Sequence, residues 1–272
     1  MITTGLRPER ATALSDARLQ FHHAVQLATA AGISYLPPKP DDSHTNLEWL
    51  SGDGRLASNR IPTSKPFRIA VRAADLELSL LDTKDVVLAS MALNQRTIGD
   101  AAGWLRRQLP ELGADPRLFT LKRHYEIPHH AVDDGAAFDT SDTAAFAQLS
   151  AWYDIAATIL ESMQDLSGHT SDVRCWPHHF DIAVLIDVEP GKTIGVGMGP
   201  GDVYYDEPYF YVNTTPGLKS RPNVALPSGG AWHTREWIGA VLRGSVLSAD
   251  SATEEIRAFL VSAVAAVRDV MG

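Results

Sequence analysis

The chain has 272 residues, 44% of them apolar, and carries 24 Lys and Arg against 33 Asp and Glu for a net charge of −9. That is enough apolar material for a full core. With no basic run longer than the pairs Arg106-Arg107 and Lys122-Arg123, the acidic balance excludes the electrostatic footprint of nucleic-acid binding.

Cys175 is the only cysteine, which excludes an internal disulfide and any zinc site built on paired cysteines, so a reducing, cytoplasmic setting is expected. The opening MITTGLRPERATALSDA lacks the apolar region of an export signal. The most apolar late stretch, IRAFLVSAVAAVRDVM, is interrupted by Arg257, Ser262 and Arg268, so membrane insertion is not expected.

Leu14, Phe21, Val25 and Ala28 keep helical spacing and predict a helix over 12–31, with Gly32 placed to end it in the left-handed conformation. After the turn LPPKPDDS, Gly52-Asp53-Gly54 stands between alternating residues and predicts a hairpin. FRIAVRA, DLELSLLD and VVLASMALN follow, with Ile69 and Val71 on one side of the first and Arg68 and Arg72 on the other. Leu47 to Asn94 therefore reads as an antiparallel sheet with one wet face.

Ile98, Ala102, Leu105 and Leu109 predict a second helix over 97–109, ended or bent by Pro110. A third, over 142–167, carries the wide apolar stripe of Phe146, Leu149, Tyr153, Ala156, Leu160 and Met163, with Gly168 as its stop. Strands are expected at FDIAVLIDV and EPYFYVN, WIGAVLRGSVL is ambiguous, and Ser251 to Glu254 reads as a capping box opening a helix over 251–271. Strands and helices fall in blocks, which predicts one compact α+β domain. FRIAVRA and FDIAVLID echo each other, so blocks 45–96 and 174–247 are candidates for a pseudo-repeat.

The stretch RCWPHHFDIAVLIDVEPGKTIGVGMGPGD carries the chemistry. If Phe180 to Val188 is a strand, His179 and Asp181 share the face opposite the core. Such a pair suits a proton shuttle or two metal ligands, or else closes a strand end by a hydrogen bond. Gly195, Gly197 and Gly199 leave one strand face bare, so something approaches the backbone closely. Two candidates remain: Tyr209 and Tyr211 of the next strand as an aromatic cover, or a ligand floor.

Two nucleotide motifs fail here. Gly191-Lys192-Thr193 lacks the phosphate loop's earlier glycine, where Ile186 stands, and Pro200 occupies the third glycine of a dinucleotide fingerprint. In LKRHYEIPHHAVDD an extended chain would put His124, Glu126, Pro128 and His130 on one side, a second source of metal ligands or a solvated connector. The His-x-Glu pair lacks the cysteines of a zinc deaminase. His233, between Trp232 and Trp237, is a third candidate pocket residue. His22 and His23 belong to the core boundary of the first helix.

RCWPHHFDIAVLI, GVGMGPGD and EPYFYV together resemble a signature of bacterial proteins to which no activity is attached, over about a sixth of the chain from Arg174 to Thr214. No catalytic residue follows from it.

Two functions are consistent with these residues. One is a non-catalytic small-molecule pocket formed by Gly195, Gly197, Gly199, Tyr209, Tyr211 and His233. The other is a hydrolase-like enzyme with His179 and Asp181 as catalytic pair, or with a divalent metal, the one cofactor the donors suggest, held by His179, Asp181, Glu126 and His130. The absence of a nucleophile elbow, a His-Glu-x-x-His helix and a cofactor loop favours binding over catalysis.

Overall fold

The computed structural model describes residues 6–163 and 169–271. Within them, four helices and eleven strands in antiparallel pairing make the chain α+β, as expected. No helix among the described residues is long and apolar enough to cross a membrane. The chain divides into two compact units. One comprises Asp16–Ser150 and Arg174–Phe180; the other comprises the described parts of Met1–Ser15, Ala151–Val173 and Asp181–Gly272.

The first unit holds helix α1 (Ser15–Tyr35), strands β1 (Leu47–Leu50), β2 (Arg55–Ser58), β3 (Arg68–Arg72), β4 (Glu77–Leu81) and β5 (Val87–Ala92), helix α2 (Ile98–Gln108), the start of α3 (Thr143–Met163), and β6 (Arg174–Trp176). The hairpin at Gly52-Asp53-Gly54 forms as expected, pairing Leu50 with Arg55. Its strands belong to the order β6-β1-β2-β3-β4-β5.

Helix α2 starts where Thr97 accepts the Asp100 amide at 3.0 Å and the Asp100 carboxylate accepts the Thr97 amide at 2.9 Å. This reciprocal pair satisfies two otherwise orphaned donors. Pro110 ends the α-helix in a 3-10 turn over Leu109–Leu112, closed by Gly113 at φ 77°.

Gly32 does not end α1, which continues to Tyr35. A side chain there would collide with the His44 carbonyl, so this glycine permits close approach of a loop to the helix.

The expected wet face of this sheet is also corrected. Arg55 and Arg68 are 2% and 3% exposed. They are tolerated because carboxylates on other strands and turns meet them: Arg55 pairs with Glu77 at 2.9 Å and with Asp53, and Arg68 with Glu48 at 2.8 Å and Asp85 at 3.2 Å. Ala57, Ala70 and Leu81 form a small apolar cluster on the same face. We call this the arginine unit.

The second unit holds β7 (Asp181–Glu189), β8 (Lys192–Gly199), β9 (Tyr209–Thr215), β10 (Ala231–His233), β11 (Gly239–Arg243) and α4 (Ala252–Met271). The strand order is β10-β11-β9-β8-β7. The ambiguous WIGAVLRGSVL thus splits into β11 and a 3-10 turn over Gly244–Val246. Ile182, Val184, Ile186, Ile194, Val196, Met198, Phe210 and Val212 all lie buried on one face, and α4 packs on β8, β9 and β11.

The capping partner at α4 is one residue later than expected, with Ser251 donating to Glu255 at 2.7 Å and Glu255 accepting the Ser248 amide at 3.0 Å. The apolar stripe of α3 is buried along its length, while its expected stop at Gly168 lies outside the described residues. The two echoing segments become β3 and β7. β3 lies between two partners inside its meander, whereas β7 begins the β7-β8-β9 run.

Candidate functional site

In the second unit the strand register places Gly197 opposite Tyr211, Gly199 opposite Tyr209 and Gly195 opposite Asn213. A β-carbon on Gly197 would stand 2.7 Å from the Tyr211 ring and 2.8 Å from the Ile182 carbonyl oxygen. On Gly199 it would stand 3.0 Å from the Tyr209 ring, and on Gly195 it would collide with the Asn213 amide oxygen. The bare strand face is therefore occupied by the side chains of the neighbouring strand. Of the two candidate roles for the glycines, the aromatic cover is the one present.

The tyrosine hydroxyls on this face are not idle. Tyr211 donates to the Asp181 carboxylate, and Tyr209 donates to Asp202 at 2.6 Å. Asp202 is aimed by its own loop: its other oxygen accepts the amides of Tyr204 and Tyr205 at 2.8 and 3.0 Å, beside Gly201 at φ 120°. Burial, then the Asp202 hydrogen bond, pushes the Tyr209 hydroxyl far above its ordinary pKa, and burial raises that of Tyr205. Both stay protonated donors at neutral pH.

His233 is buried and stacks on Trp237, with ring centroids 4.3 Å apart and planes 20° from parallel. Its Nε2 lies 2.7 Å from the Arg235 carbonyl oxygen, which can only accept, so Nε2 carries the hydrogen. In the neutral ring Nδ1 then accepts the Tyr205 hydroxyl at 2.8 Å. Tyr204 donates to Glu236 and lies under the Arg235 guanidinium, 5.5 Å from its ring centre. Tyr205, Tyr209 and Tyr211 follow at ring spacings of 5.0 and 6.3 Å. The result is a continuous aromatic layer whose polar tips are held by carboxylates and one histidine. We call this the tyrosine unit.

A cleft of about 410 Å³ opens beside the layer. Asn213 and Trp237 are both in its wall, and Glu236 is the one charged side chain lining it. Glu236 has φ 51°, a backbone conformation uncommon for a non-glycine residue.

His179 does not join this site from a shared strand face. β7 begins at Asp181, and Trp176 to Phe180 form a tight turn in which the Trp176 carbonyl accepts the His179 and Phe180 amides. Phe180 has φ 62°, and that left-handed residue breaks the alternation on which the pairing of His179 with Asp181 depended. His179 is exposed on the turn, its ring centroid 4.3 Å from that of His178.

The turn is fixed inside the arginine unit by α1. His22 Nε2 donates to the Pro177 carbonyl at 2.8 Å, Gln26 donates to the same oxygen at 3.2 Å, and the His22 ring stacks on Phe180 at 4.4 Å. Burial holds the His22 pKa down to about 3, so the ring is a neutral clamp. His23, buried beside it, holds Pro128 through its carbonyl at 3.0 Å.

The second histidine group is also re-phased. Leu121, Arg123, Tyr125 and Ile127 are the half-buried positions, with His124 and Glu126 exposed between them, but the alternation reverses after Pro128. His130 turns inward and bonds to Asp16 at 3.1 Å and to the Val132 amide at 3.3 Å, away from the Glu126 side. Glu126, His130, His179 and Asp181 are thus not one donor set, and no group of three or more His, Cys, Asp or Glu among the described residues is placed to hold a metal ion.

Sequence reasoning missed Asp202, Tyr205, Glu236 and the clamping role of His22. Asp202 alone had a signal, since GPGD before two tyrosines is an aspartate-initiated turn. Compared with protein-family models, curated proteins and solved structures, the chain matches none of them.

Proposed function

We propose that this chain binds a small molecule without transforming it, in the cleft of the tyrosine unit, with the tyrosine layer as the rigid floor beside it. The observation that carries this reading is continuity. Asn213, which covers Gly195, and Trp237, which stacks on His233, are the two ends of the layer and both line the cleft. Trp237, Leu218 and Ile238 give the cleft apolar surface, and Asn213, Thr214, Thr234 and Glu236 give it polar groups that can orient a small ligand. A single carboxylate beside an indole selects a small planar cation. Catalysis is not favoured, because the tyrosines are held as protonated donors and His233 has both ring nitrogens engaged.

Benzamidine, a planar amidinium, is the probe, with benzoate as its charge-reversed control. Benzamidine is expected to raise the melting temperature saturably, by mass action on the folded state, and benzoate is not. Glu236→Gln and Trp237→Ala should each remove that response. A wild-type protein indifferent to benzamidine, or variants that respond as wild type does, would end this reading.

A further inference from the structure

The arginine unit contains a second cavity, of about 480 Å³, whose wall is unlike that of the first. Lys39, Arg60, Arg68 and Arg174 line it against one carboxylate, Glu48. In a chain of net charge −9 that concentration of cations is not a consequence of composition.

The cations are built in. Arg68 is 3% exposed, and its Nε donates to the Ser58 carbonyl at 2.6 Å while its two terminal nitrogens meet Glu48 and Asp85. Arg60 is oriented by Asp85 at 3.2 Å and by the Asp82 carbonyl at 3.3 Å. These partners engage some of the ten N–H groups that two guanidinium forks present and hold both forks in place.

The opposite wall is also fixed. Asn59 donates to the carbonyls of Ser43 and Asn46 at 3.0 and 3.3 Å, which pins the loop carrying His44. His44 is buried, and its Nδ1 accepts the Lys39 amide at 3.2 Å, so Nε2 carries the hydrogen as a further donor.

The carboxylates around the cavity each have a partner, and Glu48 is held by Arg68. Asp85 is shared by the two arginines, Asp42 pairs with His124 at 3.1 Å, and Asp41 accepts the Ser43 amide at 3.1 Å.

We propose that this cavity binds a tetrahedral oxyanion, the phosphoryl group of a small phosphorylated metabolite, through Arg60, Arg68, Lys39 and Arg174. Forked guanidinium donors match two oxygens of such a group at once, and Lys39 adds a point charge. The volume leaves room for an organic part, which Leu36 and Pro37 in the same wall would contact. This site is independent of the cleft in the tyrosine unit.

The test is calorimetric titration of the full chain with inorganic phosphate, at ionic strength held constant with chloride. Wild type is expected to bind phosphate saturably, with sulfate competing as a second tetrahedral oxyanion and acetate not competing. Arg60→Gln removes an exposed side chain and should weaken binding about ten-fold, as loss of a charged hydrogen bond does, and Lys39→Gln should weaken it several-fold. Lys65→Gln removes the same charge from an exposed position outside this cavity and should bind as wild type does. Melting curves without phosphate should lie close together for all four proteins, with Arg60→Gln lowered only by the loss of its exposed pair with Asp85.

Absence of saturable binding by wild type overturns the proposal. So does equal competition by acetate, or equal weakening by Lys65→Gln, either of which would mean that phosphate responds only to net charge.

Discussion

The strands of the two units solve the same problem by opposite means. Each has one face that buries aliphatic side chains and another that must accommodate polar groups. In the arginine unit, long cations lie along the strands and are met by carboxylates from other strands and turns, Arg55 by Glu77 and Arg68 by Glu48. In the tyrosine unit, the side chains of one strand are deleted and the rings of the next fill the space, with single hydroxyl contacts to Asp181 and Asp202. The first solution depends on charge and is weakened when either partner is lost. The second depends on volume and is weakened when a β-carbon is added. Substitutions can therefore tell the two apart.

The largest effect is expected at Arg55. Replacing it with Ala leaves Ser79 without its cation and Glu77 with Arg72 alone, 3.4 Å away, and removal of one partner from a buried pair costs about 3–5 kcal/mol. The lower end applies because Asp53 and Glu77 keep access to water. Urea unfolding should show the loss, and the double replacement Arg55→Met with Glu77→Leu should recover most of it. No recovery would mean that the loss does not come from an uncompensated Glu77.

Next come the glycines, which should grade by what a β-carbon would meet. Gly197→Ala meets a ring and a main-chain oxygen, Gly199→Ala meets a ring alone, and Gly195→Ala meets an amide end that can swing aside. Overpacking of a fixed site costs about 1–3 kcal/mol, so the expected order of destabilisation is Gly197, Gly199, Gly195. Equal losses at all three would show that strand propensity, not the tyrosine cover, sets the cost.

Acid should separate the two units through His22. Its pKa in the folded protein is about 3 and its ordinary value is 6.5, so between those values the unfolded chain takes up a proton that the folded chain refuses. Stability from this group is complete above pH 6.5 and is lost as pH falls through that window, at up to about 1.4 kcal/mol per pH unit. His23, also held below its ordinary pKa by burial, adds in the same direction. His22→Gln keeps a donor for Pro177 without the titration, and its stability should fall less between pH 7 and pH 5 than that of wild type. Parallel pH curves for the two would remove His22 as the cause.

These cases mark how far the sequence could be read. Periodicity found the four helices of the described residues and the hairpin, because those elements are set by which residues face the core and every turn of chain repeats the signal. The tyrosine cover was legible for the same reason, since strand alternation fixes which residues can face the glycines. The pairing of His179 with Asp181 was not, because one left-handed residue, Phe180, resets the phase and nothing in its side chain announces that. The reversal after Pro128 misled in the same way and detached His130 from Glu126. Arg68 read as a solvated residue because its partners, Glu48 and Asp85, lie far away in sequence.

The smallest expected effect sharpens the contrast inside the arginine unit itself. Arg72 lies on the same face of the same strand as Arg68, four residues along, and holds Asp75 through two hydrogen bonds of 2.8 and 2.7 Å. By geometry this is the best ion pair of the sheet. The Arg72 side chain keeps 28% of its surface in water and that of Asp75 keeps half, so both charges remain solvated if the pair is broken. Exposed pairs contribute about 0.2–1 kcal/mol, and Arg72→Ala should fall in that range, well below Arg55→Ala. Raising the salt concentration should shrink the Arg72 effect and leave most of the Arg55 effect, because screening reaches exposed charges first. A loss at Arg72 as large as that at Arg55 would mean that geometry, and not burial, decides what an arginine contributes on this face.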